Sequence, residues 1–100
     1  MTTLSDFEAQ QVVHHPGEER FELRAGTYVC VLNYRRAPGR MVIYHTEVPL
    51  PFEGHGLAAR ITRAALEFAR SQQLQVEPRC PYTAAFIRKH PDFRDLVASR

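Results

Sequence analysis

Between Arg40 and Phe68 the apolar repeat of this chain changes from two residues to about 3.6, and it does so across one short turn, Pro49-Leu50-Pro51-Phe52-Glu53-Gly54-His55-Gly56. No other feature restricts the fold as much. Before the turn, Met41, Ile43, His45 and Glu47 alternate with Val42, Tyr44, Thr46 and Val48, which predicts a strand over Arg40 to Val48 with those two sets on opposite faces. After it, Leu57, Ile61, Ala65 and Phe68, joined by Ala58, Ala64 and Ala69, fall on one helical face. Arg60, Arg63, Glu67 and Arg70 fall on the other. Pro49 and Pro51 end the strand pairing, because proline has no amide proton to give to a ladder.

The segments on either side extend this unit. Gln11 to His14, Arg20 to Arg24 and Thr27 to Tyr34 read as strands, separated by Pro16-Gly17 and Ala25-Gly26, and Arg35 to Gly39 reads as a hairpin turn. Leu74 to Arg79 reads as a further strand. Its link through a helix to the strand before predicts a parallel pairing in a β-α-β crossover. Cys80-Pro81 opens a second helix through about Lys89, since proline is favoured at the first helical position. His90-Pro91 ends it, and Asp92 to Val97 suits a last turn. The first ten residues are polar and without period, and a loose, flexible start is expected there. The expected order is ββββαβα, an α+β fold with a mixed, mostly antiparallel sheet.

One hundred residues close one core, so residues 11–100 are expected to form a single domain. The formal net charge of +2 is small, and basic residues are interleaved with acids, which argues against nucleic acid as partner. Cys30 and Cys80 form no CxxC pair, and the five histidines form no HxxxH, so neither a disulfide framework nor a metal site is expected. Cys30 lies mid-strand and reads as core. No signal peptide and no apolar run of membrane-spanning length is visible, so no membrane association is expected and the expected location is cytoplasmic.

A G-x-G between a strand and a helix leaves main-chain N–H groups unpaired at the positive end of the helix dipole, and glycine lets an anion approach them. By spacing alone the turn reads equally as a flexible entry to a helix. The wider pattern is more specific. The stretches HTEVP (His45 to Pro49), EGHGLA (Glu53 to Ala58), AALEFAR (Ala64 to Arg70), PRCPY (Pro78 to Tyr82) and RKHPDFRDLV (Arg88 to Val97) occur in the order in which they occur in the GNAT superfamily of acyl-CoA-dependent N-acetyltransferases. The chain resembles that superfamily, and more closely its small YjdJ-like branch, from about Phe21 to Val97.

The resemblance implies a minimal GNAT-like fold with a β-α-β CoA-binding unit. Its ligand would be acetyl-CoA or coenzyme A, with the diphosphate on Glu53, Gly54, His55, Gly56, Leu57 and Ala58 and pantetheine against the strand end at Glu47 and Val48. Pro51 departs from the Gln or Arg that the superfamily favours three residues before the first glycine, which implies an altered affinity. The implied activity is acetyl transfer to an amine by direct attack. The chain lacks the insertions that roof the acceptor in larger relatives, and an open acceptor side suits a polypeptide amine. The other reading is a CoA- or acyl-CoA-binding module without efficient turnover.

Transfer to an amine needs a base, a polarised carbonyl and a proton for the departing thiolate. Glu47, by resemblance, and His45 are the candidate bases; both also read as ordinary strand residues. Cys80, at the start of a helix whose dipole favours a thiolate, is a candidate acyl relay or proton donor, and equally a small residue filling a tight turn. Tyr82 is a candidate proton donor. His90 reads as a partner of helix-end carbonyls. Arg60 and Arg63 could reach phosphates from the exposed helix face, where solvation explains them as well.

Overall fold

The structure is a computed structural model describing residues 1–97. The chain begins with a short helix, α1 (Leu4–Glu8), whose start is closed by a reciprocal Thr3–Asp6 capping box. A helical turn thus stands where the sequence shows no period. Phe7 is fully buried, with its ring edge-on to Phe52 at 4.8 Å, and burying one such ring is worth about 1.5–3 kcal/mol. Arg60 ties the segment down by donating to the carbonyls of Phe7 (3.1 Å) and Gln10 (2.7 Å). A single aromatic has no period, so only its tertiary partner shows that it belongs to the core.

Five strands follow: β1 (Val13–His15), β2 (Arg20–Ala25), β3 (Tyr28–Ala37), β4 (Arg40–Glu47) and β5 (Gln75–Pro78). They lie in the order β1-β2-β3-β4-β5, the first four antiparallel and β4–β5 parallel. The fold is therefore α+β with the expected mixed sheet. The hairpin between β3 and β4 is tighter than expected: Arg35, Arg36 and Ala37 remain paired, and only Pro38-Gly39 turns, with Gly39 at φ +70°. Between β4 and β5 runs α2 (Leu57–Ser71), and α3 (Pro81–Lys89) follows β5 with Pro81 at its first position. A 3₁₀ turn, Pro91–Leu96, closes the described chain, and Val97 bridges Val76 in parallel.

The sheet has two unlike faces. Phe21, Leu23, Cys30, Leu32, Tyr34, Met41, Ile43 and Val76 face the helices and are buried together with Leu57, Ile61 and Leu66 of α2. Cys30 is core, as expected. On the opposite face Val29, Val31, Asn33 and Val42 are half-buried, and Tyr44, His45 and Glu47 are exposed.

The strand alternation holds only for the first half of β4. Tyr34 pairs with Ile43 and Asn33 with His45, so Tyr44 has no partner on β3. This one-residue bulge reverses the inward-outward alternation that follows it. His45 and Glu47, expected on the face of Met41 and Ile43, stand instead on the open face, and Thr46 turns to the helical side.

Candidate functional site

The bulge also marks where β4 and β5 part. Parallel pairing runs from Arg40–Gln75 to Ile43–Pro78, and the carbonyl of Ile43 then accepts from both Arg79 N and Cys80 N, each at 2.9 Å. Beyond Ile43 the strands separate, and β4 continues on β3 alone. The wedge between them opens into a cavity of about 290 Å³. Its lining comes from Thr46 of β4, Val48 just after it, the following turn (Phe52, Glu53, Gly54, Gly56), the first residues of α2 and Tyr82.

The glycine turn is open at both glycines. Gly54 and Gly56 have φ of +82° and +84°, values that disfavour any residue with a Cβ, and a Cβ at either position would project into open space. Gly56 is the residue before α2, and no side chain caps the helix. The first amides of α2 have no acceptor within the helix, so these N–H groups and the dipole act together at the cavity wall. That donor set fits an anion with several oxygens, such as a diphosphate. Arg60 and Arg63 do not join it. Arg60 is spent on Phe7 and Gln10, and Arg63 lies over the rings of Phe86 and Phe93, with Asp92 at 3.8 Å.

On the β5 side of the wedge Cys80 is 5% exposed, and its thiol donates to Thr46 Oγ1 at 3.6 Å. Burial pushes this thiol up. The main-chain N–H groups of Thr83 and Tyr82 and the hydroxyls of Thr46 and Thr83 outweigh burial and hold it below its ordinary value. Thr83 Oγ1 is buried and has no hydrogen-bond partner among the described residues. Tyr82 lines the cavity, and burial pushes its phenol up, so it stays protonated at neutral pH.

His45 and Glu47 meet each other, Nε2 to Oε1 at 3.1 Å, and both are well exposed. They flank Thr46 in sequence but face away from the helical side, so the strand end separates them from the thiol. His55 lies exposed in the turn. His90 donates from Nδ1 to the carbonyl of Phe86 at 2.7 Å, the helix-end contact its position suggested. Thr46, Phe52 and Thr83 were not singled out from sequence. Threonine at a strand end or in the first turn of a helix, and phenylalanine just after a proline, carry no signal of their own. Among the described residues, no group of three or more His, Cys, Asp or Glu could hold a metal ion, and no helix is long and apolar enough to cross a membrane.

A family model described as GCN5-related N-acetyl-transferase matches residues 20–96. Protein NATD1 of Gallus gallus is 32% identical over 84 residues, 81% of this chain and 76% of that protein. Protein NATD1 of Bos taurus is 36% identical over 63 residues, and that of Homo sapiens 34% over 63; each match spans 62% of this chain but only 56% of the relative. A solution NMR structure of a GCN5-like protein from Staphylococcus aureus superposes with a TM-score of 0.72 at 19% identity, covering 97% of this chain and 93% of that one, a likeness of fold.

Proposed function

This chain belongs to the GCN5-related N-acetyltransferase family, and from that premise we propose that it binds acetyl-CoA and transfers the acetyl group to an amine, with a polypeptide amine as the acceptor its open face suits. One observation carries the proposal: an uncapped helix start behind two positive-φ glycines opens into the same cavity as Thr46, Val48 and Tyr82. In this reading the amides from Glu53 to Ala58 hold the diphosphate, and the main chain of Glu47 and Val48 guides the pantetheine arm into the wedge. The ligand supplies an acyl thioester there. Glu47, assisted by His45, removes the amine's proton from the open face as the amine attacks directly. Tyr82, or Cys80 across the wedge, supplies a proton to the departing sulfur. In the alternative route Cys80 takes the acyl group from the thioester first and passes it to the amine.

The exposure of Glu47 favours a second reading, a CoA-binding module without efficient turnover. A carboxylate this exposed is not walled in against water beside an incoming amine. Calorimetry with CoA at moderate salt, followed by thiol release from acetyl-CoA with peptides and polyamines, separates the two. The transferase reading expects turnover that falls by about 10²-fold in Glu47→Gln. Tight CoA binding with thiol release no faster than the blank establishes the module. No CoA binding at all removes both.

A further inference from the structure

The open sheet face carries a second cavity, of about 430 Å³, on its β1–β2 side. The cross-strand register joins it to the site. One row on that face runs Val13, Glu22, Val31, Glu47, and the next runs His15, Arg20, Asn33, His45. Glu22 is only 5% exposed, unusual for a carboxylate on an uncovered face. Its neighbours cover it. Arg20 Nε lies 2.9 Å from one oxygen, and Arg24 Nε (3.0 Å) and His15 Nε2 (3.3 Å) lie near the other.

Arg24 is held through a hydrogen bond from Nε, whereas Arg20 Nε only lies close to the carboxylate, without a hydrogen bond among the described residues. The outer end of Arg20 meets only Glu18, at 3.9 Å, and among the described residues no acid pairs with the two terminal nitrogens of Arg24. A guanidinium anchored this way presents its remaining N–H pair as a fork matched to a carboxylate. Glu18 stands exposed on the Arg20 side and leaves Arg24 the more open of the two. The face therefore has a carboxylate at Glu47 and, at the other end, the open guanidinium donors of Arg24, beside Arg20, with Glu22 and Glu18 offsetting the two positive charges. Two strand spacings, about 10 Å, lie between the two ends, with Val31 as the floor.

We propose that this face binds an acidic stretch of polypeptide, its amine at Glu47 and a carboxylate side chain about three residues away on Arg24 and Arg20. Three extended residues span about 10 Å, the separation of the two ends. The placement of the amine rests on the acetyl-transfer reading; the carboxylate site rests on Arg20, Glu22 and Arg24 alone. In acetyl transfer the pair would select acceptors with an acid near the amine.

The test uses two short peptides with a free α-amine, one with glutamate at its third and fourth positions and the other with glutamine. Binding is followed by fluorescence anisotropy with wild type, Arg24→Gln, Arg24→Glu and, as a control for net charge, Arg88→Gln. Arg24 and Arg88 are both exposed, so these variants are expected to fold, which circular dichroism checks. The glutamate peptide is expected to bind about five-fold tighter than the glutamine peptide, and Arg24→Gln to erase that preference while Arg88→Gln keeps it. Arg24→Glu should reverse the preference. Equal binding of the two peptides to wild type, or an equal loss in Arg88→Gln, overturns the proposal. Arg24-dependent binding without acetylation of either peptide upholds the carboxylate site and counts against the transferase reading instead.

Discussion

Two helices begin at the same wedge, and they begin differently. At α2 the strand leads in through glycines, no side chain caps the first turn, and the amides face a cavity. At α3 the strand leads in through Cys80-Pro81, and a nearly buried sulfur lies beside the amides of Tyr82 and Thr83. Both starts are positively polarised. At α2 that polarity is left open toward the cavity. Where the protein places a thiol there, it makes the thiolate easier to form. The lead-in residues thus decide whether a helix start stays open or meets a side chain of its own.

The largest expected effect breaks the first half of this contrast. Gly56→Val places a branched side chain at a φ of +84° and fills the open space before α2, and CoA affinity should fall at least about 30-fold by calorimetry. Gly39→Val imposes similar backbone strain in the β3–β4 hairpin, at φ +70°, and should leave affinity unchanged. If both variants lose binding alike, strain and not the open helix start explains the result.

The next effect concerns the second half. With a small thiol reagent, Cys80 should react at least about ten-fold faster than Cys30 near neutral pH, as resolved by peptide mass spectrometry. Hydrogen bonds lower the Cys80 thiol from its ordinary 9.0, so its rate should reach half-maximum below that pH. Burial raises Cys30, which should do so above it. Equal rates would erase the distinction between the two cysteines. The smallest effect sharpens it. Thr46→Val removes one hydroxyl that favours the thiolate, so the Cys80 profile should move to higher pH and the neutral rate should drop a few-fold. An unmoved profile would assign the effect to the helix amides alone.

Much of this site is legible in residue order. Proline after cysteine marks the start of α3, and the two glycines mark the start of α2, because these residues restrict or free the backbone locally whatever surrounds them. The switch of period from Ile43 to Leu57 places a strand and a helix next to each other for the same reason. The bulge is different. Tyr44 is a good strand residue, and nothing in His45-Thr46-Glu47 announces a skipped partner. The skip lies where β5 stops pairing with β4 while β3 continues along it. From alternation alone, His45 and Glu47 join Met41 and Ile43; in the fold they stand on the opposite side, exposed, and Thr46 meets the thiol instead.

The same holds at the chain start. Phe7 is one aromatic among polar residues, and Arg60 is one arginine on a wet helix face, until the fold brings them together. By itself, then, the order of residues determined the α+β class, the β-α-β unit and the glycine turn, all properties of backbone freedom and short-range periodicity. Only the tertiary structure decided which face each β4 side chain serves, which arginines are engaged within the fold, and that Glu22 gathers two guanidiniums on the open sheet. Those outcomes depend on pairing register and on partners far away in the chain, and no local pattern carries that information.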